Sequence, residues 1–407
     1  MIEDLLQTDG FYQNNGTFRE NLPVTKKALN RIAFMINSLR TGLFSLLIFF
    51  SQYLRAQDCN CRANFDSMVS HVTGSYAGFP DKITRATRAE YASFTAQLRR
   101  KALTENKTDS CYVILRTWTN YFKDRHLRVQ LDWRYREKNP DAVKRLNALF
   151  SKPSSSPISA ESLSPNSSVT SLSPATLLIR LPSFEWSEKT MIDSLIKSND
   201  TLLTKTSNWI IDIRGNGGGT DYAFSNLLPF LYTTPVKTYP DEFRSSKSTI
   251  RILEENLSDK NLSAAAKEFT THLIGLMKTQ STGYVSPYGK KYFESKLDSV
   301  YSYPKNVAIL IDRNSASSAE SFLLTAIQSK KVTVFGENSA GILDYGNVQF
   351  FDIPDNNFNL VIPIARSSRL PDHPIDNIGI TPNVKIEPQR NDKISFIREQ
   401  LEKTGGR

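Results

Sequence analysis

The sequence predicts an α/β fold, a sheet of buried strands alternating with helices, preceded by a small helical domain. Three observations carry this expectation. Short apolar runs recur at Thr176–Leu181, Trp209–Ile213, Val307–Ile311 and Val332–Phe335, the length and composition of buried strands. Helical spacing follows at Glu188–Ile196, Tyr222–Leu231 and Ala319–Ile327. Strand, loop and helix in repetition argue for a sheet that takes ligands at the C-terminal ends of its strands. Finally, residues 58–122 place apolar side chains at helix spacing, through Phe65, Met68, Val69 and Val72 and again through Tyr91, Phe94, Leu98 and Leu103.

From the start of the chain, residues 1–57 read as a leader. The run Thr41–Leu54 is apolar but short of the ~20 residues that span a bilayer. With Arg40 before it and Ala56-Gln57 after it, the run fits a secretory signal over about 35–57, starting at Met35 and cleaved near Gln57. The expected product is periplasmic or extracellular, with no stable membrane insertion after cleavage; an uncleaved leader would anchor it. Residues 58–122 form the N-terminal helical domain, in which Gly78-Phe-Pro80 breaks the first helix. Leu127–Trp133 alternates like a strand, and the Ser/Pro-rich stretch 151–174 reads as a linker. A main domain covers 123–390, with a mainly helical insertion at 243–301 that could form a lid, and 391–407 is a C-terminal tail.

With 39% hydrophobic and 23% charged residues the composition is globular. The net charge of +10 is partly carried by the leader. No Lys/Arg block is interleaved with aromatics, so nucleic acid is not an expected partner. Cys59, Cys61 and Cys111 are the three cysteines. In an exported chain Cys111 can pair with Cys59 or Cys61. Without clustered histidines they make no zinc site; neither a metal nor a cofactor is expected.

The candidate chemistry lies in three places. The four histidines are His71, His126, His272 and His373. His71 and His272 fall in apolar helical contexts, and His126 stands at the mouth of a strand in Lys123-Asp-Arg-His126. The run Arg214-Gly-Asn-Gly-Gly-Gly219 ends a strand, where glycines let backbone N–H groups face a ligand. It is neither a phosphate loop nor a dinucleotide fingerprint. In Asn314-Ser-Ala-Ser-Ser-Ala-Glu320, Ser317 opens a helix and can present its hydroxyl to a cleft beside the Ser318 N–H, or merely cap that helix.

Taken together and in order, Asp124-Arg-His126, Asn208–Gly219, Ser315–Glu320, Gly336-Glu-Asn-Ser-Ala-Gly341 and Gly379-Ile-Thr-Pro-Asn383 resemble serine peptidase family forty-one. That is the family of the tail-specific peptidases and the tricorn core. The resemblance implies a ClpP/crotonase-like catalytic core acting on polypeptide or peptide substrates, with Ser317 as nucleophile. The tail-specific branch places its catalytic lysine where this chain has Ile342. The tricorn-like branch instead implies His126 as base and Asp376 as its acidic partner. Two departures stand out: Arg125 replaces a serine before the histidine, and Asp376 replaces a glutamate. Backbone N–H groups of Gly217, Gly218 and Ser318 would form the oxyanion hole. The rival readings are a non-catalytic ligand- or peptide-binding protein on the same fold and a non-peptide acyl hydrolase.

Overall fold

A computed structural model describes residues 59–150 and 165–404. The expected leader and signal, and most of the Ser/Pro-rich linker, lie outside these residues. The chain enters through helices Cys61–Ser75, Arg88–Ala102 and Thr108–Asn120, reaches strand β1 (Arg128–Leu131), and continues into helices Trp133–Lys138 and Pro140–Phe150. Next come β2 (Ser168–Ser173), β3 (Thr176–Arg180), helix Glu188–Ser198 and β4 (Asn208–Asp212). β5 (Val236–Thr238) precedes the stretch expected as a helical insertion, and that stretch holds the end of β6 (Asp241–Arg244), helices Lys247–Asn256 and Ala264–Thr279, β7 (Tyr284–Val285) and β8 (Phe293–Ser295). Then follow β9 (Asn306–Ile311), helix Ser318–Ala326, β10 (Val332–Gly336), β11 (Tyr345–Phe351), β12 (Phe358–Ser367), β13 (Val384–Lys385) and helix Lys393–Thr404.

These strands form two main sheets. In the first, the order is β13-β10-β9-β4-β3-β2, parallel from β13 through β3, with β2 antiparallel at the edge. β4 is buried at every position and β9 at all but its first, so both faces of the sheet must be covered. One face packs Trp209 and Ile211 against Phe322 and Leu323 of the helix Ser318–Ala326. The other packs Ile210, Ala308 and Leu310 against Ile397 and Leu401. The second sheet is antiparallel, in the order β1-β12-β6-β7, with β11 also paired to β12.

Two expectations need correcting. The stretch 151–174 is not linker throughout, because Ser168–Ser173 pairs along β3. As an edge strand it needs few apolar anchors; Val169 joins one core and Leu172 another, while its serines stay half-buried or exposed. The C-terminal stretch is not a free tail, because the helix Lys393–Thr404 closes the second face of the sheet through Ile397 and Leu401.

The N-terminal helices share one core with the second sheet: Phe65, Met68, Leu115 and Trp118 cluster with Leu360, Ile362 and Ile364. The helix Thr108–Asn120 buries Cys111, Tyr112, Leu115, Trp118 and Thr119, an apolar stripe at helix spacing. Cys111 is bonded to Cys61 across a sequence separation of 50, a loop closure that constrains the unfolded chain by an amount on the order of 4 kcal/mol. Cys59 is the free cysteine, buried, with its thiol pushed up to about 12 by burial and by Asp355. Among the described residues no helix is long and apolar enough to cross a membrane.

Candidate active site

The loops after β4 and β9 meet at the C-terminal edge of the parallel sheet. The glycine run after β4 is anchored by Asp212, which is buried and ion-paired with both Arg180 at 3.1 Å and Arg214 at 2.8 Å. Three bonds stitch the loops together. Gly215 N–H donates to Asp312 Oδ1 at 3.0 Å, Ser315 Oγ to the Ile213 carbonyl at 2.8 Å, and Ala316 N–H to the Asn216 carbonyl at 2.9 Å. Asn216 is itself buried and donates its amide to the Leu181 carbonyl. Both loops are therefore fixed by interior groups and leave their outer backbone for a ligand.

Ser317 is the N-cap of the helix Ser318–Ala326 and sits at φ 54° and ψ −118°. A non-glycine residue held at positive φ stores strain of order 1–3 kcal/mol and persists only where its surroundings enforce it. The enforcement comes from Glu320, which is fully buried. Its Oε2 accepts the Ser317 N–H at 3.2 Å and the Ile342 N–H at 2.9 Å; its Oε1 accepts Ser339 Oγ at 2.6 Å and the Gly341 N–H at 2.7 Å.

The glycine run presses directly on this serine. At Gly218, φ is +95°, and a Cβ there would lie 2.8 Å from Ser317 Cβ and 2.9 Å from Ser318 N. Only glycine allows that approach. The three expected oxyanion donors differ in availability. Gly218 N–H donates to Asn216 Oδ1 at 2.9 Å. The N–H groups of Gly217 and Ser318 have no hydrogen-bond partner among the described residues.

His126 reaches the same neighbourhood from the loop before β1. Asp124 is buried and shapes that loop: its Oδ1 accepts the His126 N–H at 2.8 Å and its Oδ2 the Tyr76 hydroxyl at 2.8 Å. Burial pushes the imidazole below its ordinary value, while the charges of Asp124 and Glu320 and the backbone of Tyr345 act in the opposite direction. The Glu320 carboxylate thus binds Ser317 and also acts on His126. The His126 Nδ1 is buried with no hydrogen-bond partner.

Asp376 lies beside this cluster. Its Oδ1 accepts the N–H groups of Leu343 at 3.0 Å and Asp344 at 2.9 Å. No hydrogen bond among the described residues joins it to His126. Burial and the charge of Asp124 push its carboxyl up to about 7. Arg125 is exposed. The remaining histidines lie elsewhere: His71 packs on Phe351 with ring centroids 5.3 Å apart, and His272 and His373 are exposed. Ile342 contributes its N–H to Glu320 and no charged side chain.

Sequence reasoning singled out the serine, histidine and glycines but not the organising part played by Glu320 and Asp124. The spacing Ser317-x-x-Glu320 is a capping-box signal and could have pointed to Glu320. No group of His, Cys, Asp or Glu suited to a metal ion occurs among the described residues. The arrangement offers a strained hydroxyl, an imidazole and two uncommitted N–H groups, the components of acyl transfer.

Comparison with known proteins bears on family and fold. The model of Peptidase family S41 matches residues 175–386, a span that includes both stitched loops. The fold is similar to the crystal structure of mature CPAF, at 13% identity and a TM-score of 0.57, over 85% of this chain and 99% of that one. It is also similar to a putative peptidase from Parabacteroides merdae, at 14% identity and a TM-score of 0.51, over 84% of this chain and 97% of that one. At such identities these likenesses speak to the fold alone. No curated protein matches the chain.

Proposed function

The chain belongs to peptidase family S41, and from that premise we propose that it is an exported serine peptidase whose nucleophile is Ser317 and whose general base is His126. The observation that carries this reading is the backbone of Ser317, held at φ 54° on a helix N-terminus with Gly218 packed against it. A strained strand-to-helix turn of this kind exposes a hydroxyl next to helix N–H groups.

In the proposed reaction, His126 takes the Ser317 proton as Oγ attacks a peptide carbonyl. The N–H groups of Gly217 and Ser318 stabilise the developing oxyanion. Gly218 serves by close approach, since its own N–H is bonded to Asn216. His126 then protonates the leaving amine, and water releases the acyl-enzyme. Asp124 fixes the loop that carries the imidazole, and Asp376, beside Asp124, holds the Leu343 and Asp344 N–H groups. The Cys61–Cys111 bond supports export, because disulfides persist in oxidising compartments.

Treating the purified protein with a fluorophosphonate and mapping the adduct tests the reading. The adduct is expected on Ser317. Labelling of another residue, or none at all, would overturn the assignment. N-terminal sequencing of protein from its native host tests export, with a start near Asp58 expected.

A further inference from the structure

A cavity of about 460 Å³ reaches Asp221, two residues beyond the glycine run, and its walls combine two carboxylates, Asp221 and Asp241, with the rings of Tyr239, Phe269, Tyr288 and Phe293. We propose that this cavity is a specificity pocket for a cationic side chain, lysine or arginine, of the substrate polypeptide. The inference rests on the peptidase reading and extends it to a substrate class.

Position is the first argument. Asp221 follows the glycine run by two residues and accepts a hydrogen bond from the hydroxyl of Ser321, with the Ser318 side chain beside it. Both serines lie in the first turn of the helix that Ser317 caps. The two segments that build the proposed catalytic centre therefore also place this carboxylate. A side chain entering the cavity would belong to a residue close to the reacting carbonyl.

Charge is the second argument. Asp241 is held by the Asn347 amide and Asp221 by the Ser321 hydroxyl, both neutral donors. Among the described residues neither carboxylate forms an ion pair. Arg369 acts on Asp241, yet its guanidinium is already paired with Asp344 at 3.0 Å. Burial raises both carboxyls, Asp241 to about 6, and the charge of Asp221 adds to that shift. At about 6 the Asp241 carboxyl is still mostly ionised at neutral pH and is stabilised by an incoming cation. An apolar side chain would instead desolvate two charges without a partner. Lys237 and Lys290 stand over the neighbouring rings of Tyr292 and Phe293; both are solvent-exposed, so water and salt screen them.

Shape is the third. The volume falls in the range of ordinary ligand sites, and aromatic faces attract organic cations, Arg more often than Lys.

The test compares two peptide substrates that differ only in arginine against citrulline, its neutral isostere. Wild type should favour arginine by about tenfold or more in kcat/KM, and Asp241→Asn and Asp221→Asn should each bring the ratio toward one. Thermal unfolding reports whether each variant folds; should Asp241→Asn fail to fold, the more exposed Asp221 carries the test. Binding of N-acetyl-arginine amide and N-acetyl-citrulline amide to wild type, followed by NMR, gives a readout that needs no turnover. Equal treatment of arginine and citrulline in both experiments overturns the pocket, whatever the fluorophosphonate shows. Selective arginine binding that is lost in the Asp variants sustains the cation site, even if Ser317 fails to label and the peptidase reading falls.

Discussion

Ser317 donates its backbone N–H to Glu320 Oε2 at 3.2 Å, and that carboxylate is fully buried three residues further along the same helix. The same oxygen also accepts the Ile342 N–H. One anion therefore ties the strained serine to the turn that carries residues 339–342. In the tail-specific branch of the family, the position matching Ile342 holds a catalytic lysine. Here the backbone of the position is used and its side chain brings no charge.

Replacing Glu320 tests this anchoring. Glu320→Gln keeps one acceptor oxygen but turns an NH2 toward donors that need an acceptor. Two of the four donors to the carboxylate would be left buried and unpaired. The expected loss is about 2–4 kcal/mol of stability, together with a fall in turnover as the Ser317 turn relaxes. Denaturant unfolding and ester turnover measure the two effects. An unfolding midpoint equal to wild type would remove Glu320 from its assigned part.

Gly218→Ala addresses the close approach of the loops. The new Cβ would meet the Ala316 carbonyl and Ser317 Cβ at 2.8 Å, with φ at +95°. Strain and overlap together should cost on the order of 2 kcal/mol or more and displace the proposed oxyanion donors. Turnover should fall at least about tenfold, as loss of oxyanion stabilisation does. Gly217 has open space around its Cβ direction, so Gly217→Ala should fold like wild type and provides the control for stability. Calorimetry on both variants checks the contrast.

The parallel strands were legible in the sequence because each is a near-continuous apolar run. Trp209–Ile211 and Val307–Ile311 need no pattern beyond burial to be read. The second sheet was harder. Its strands β6 and β7 have four residues or fewer, too few to display a period. β2 hides in a serine-rich stretch because edge position asks for little apolar surface. At the candidate site, motif order singled out Ser317, His126 and the glycines. Sequence could not tell which glycine N–H remains free, since that depends on Asn216 folding back onto Gly218. Nor could it reveal Asp221 and Asp241 as neighbours, because they come from different segments that only the fold brings together.

Asp376→Asn isolates a buried acid. The folded protein holds this carboxyl at about 7, against an ordinary value of 3.8. Between those pH values the folded state binds more protons than the unfolded one, so this group's contribution to stability is full at low pH and lost as pH rises through about 7. Asparagine retains an oxygen for the Leu343 and Asp344 amides and carries no charge. The melting temperature of the variant should therefore gain on that of wild type from about pH 4 to pH 8. A difference that stays constant over this range would mean that Asp376 does not titrate as described.

His126 sets the acid limb of activity. The proposed base must be neutral to accept the Ser317 proton, and burial lowers its pKa from 6.5. The kcat/KM for an acyl ester should consequently stay high below about pH 6.5 and fall only under the lowered value. Asp376 titrates nearby, so the limb that survives in Asp376→Asn belongs to the imidazole. The charge of Asp124 acts to raise the imidazole; Asp124→Asn should move the limb to still lower pH while keeping an oxygen for the His126 N–H. His126→Ala should lose roughly four orders of magnitude, as triad members do, and its residual rate should lack the limb altogether. Ester turnover of the four proteins from about pH 4 to pH 9 decides the matter. Near-normal turnover of His126→Ala with an unchanged profile would pass the base role to another group, since Ile342 offers no titrating side chain in its place.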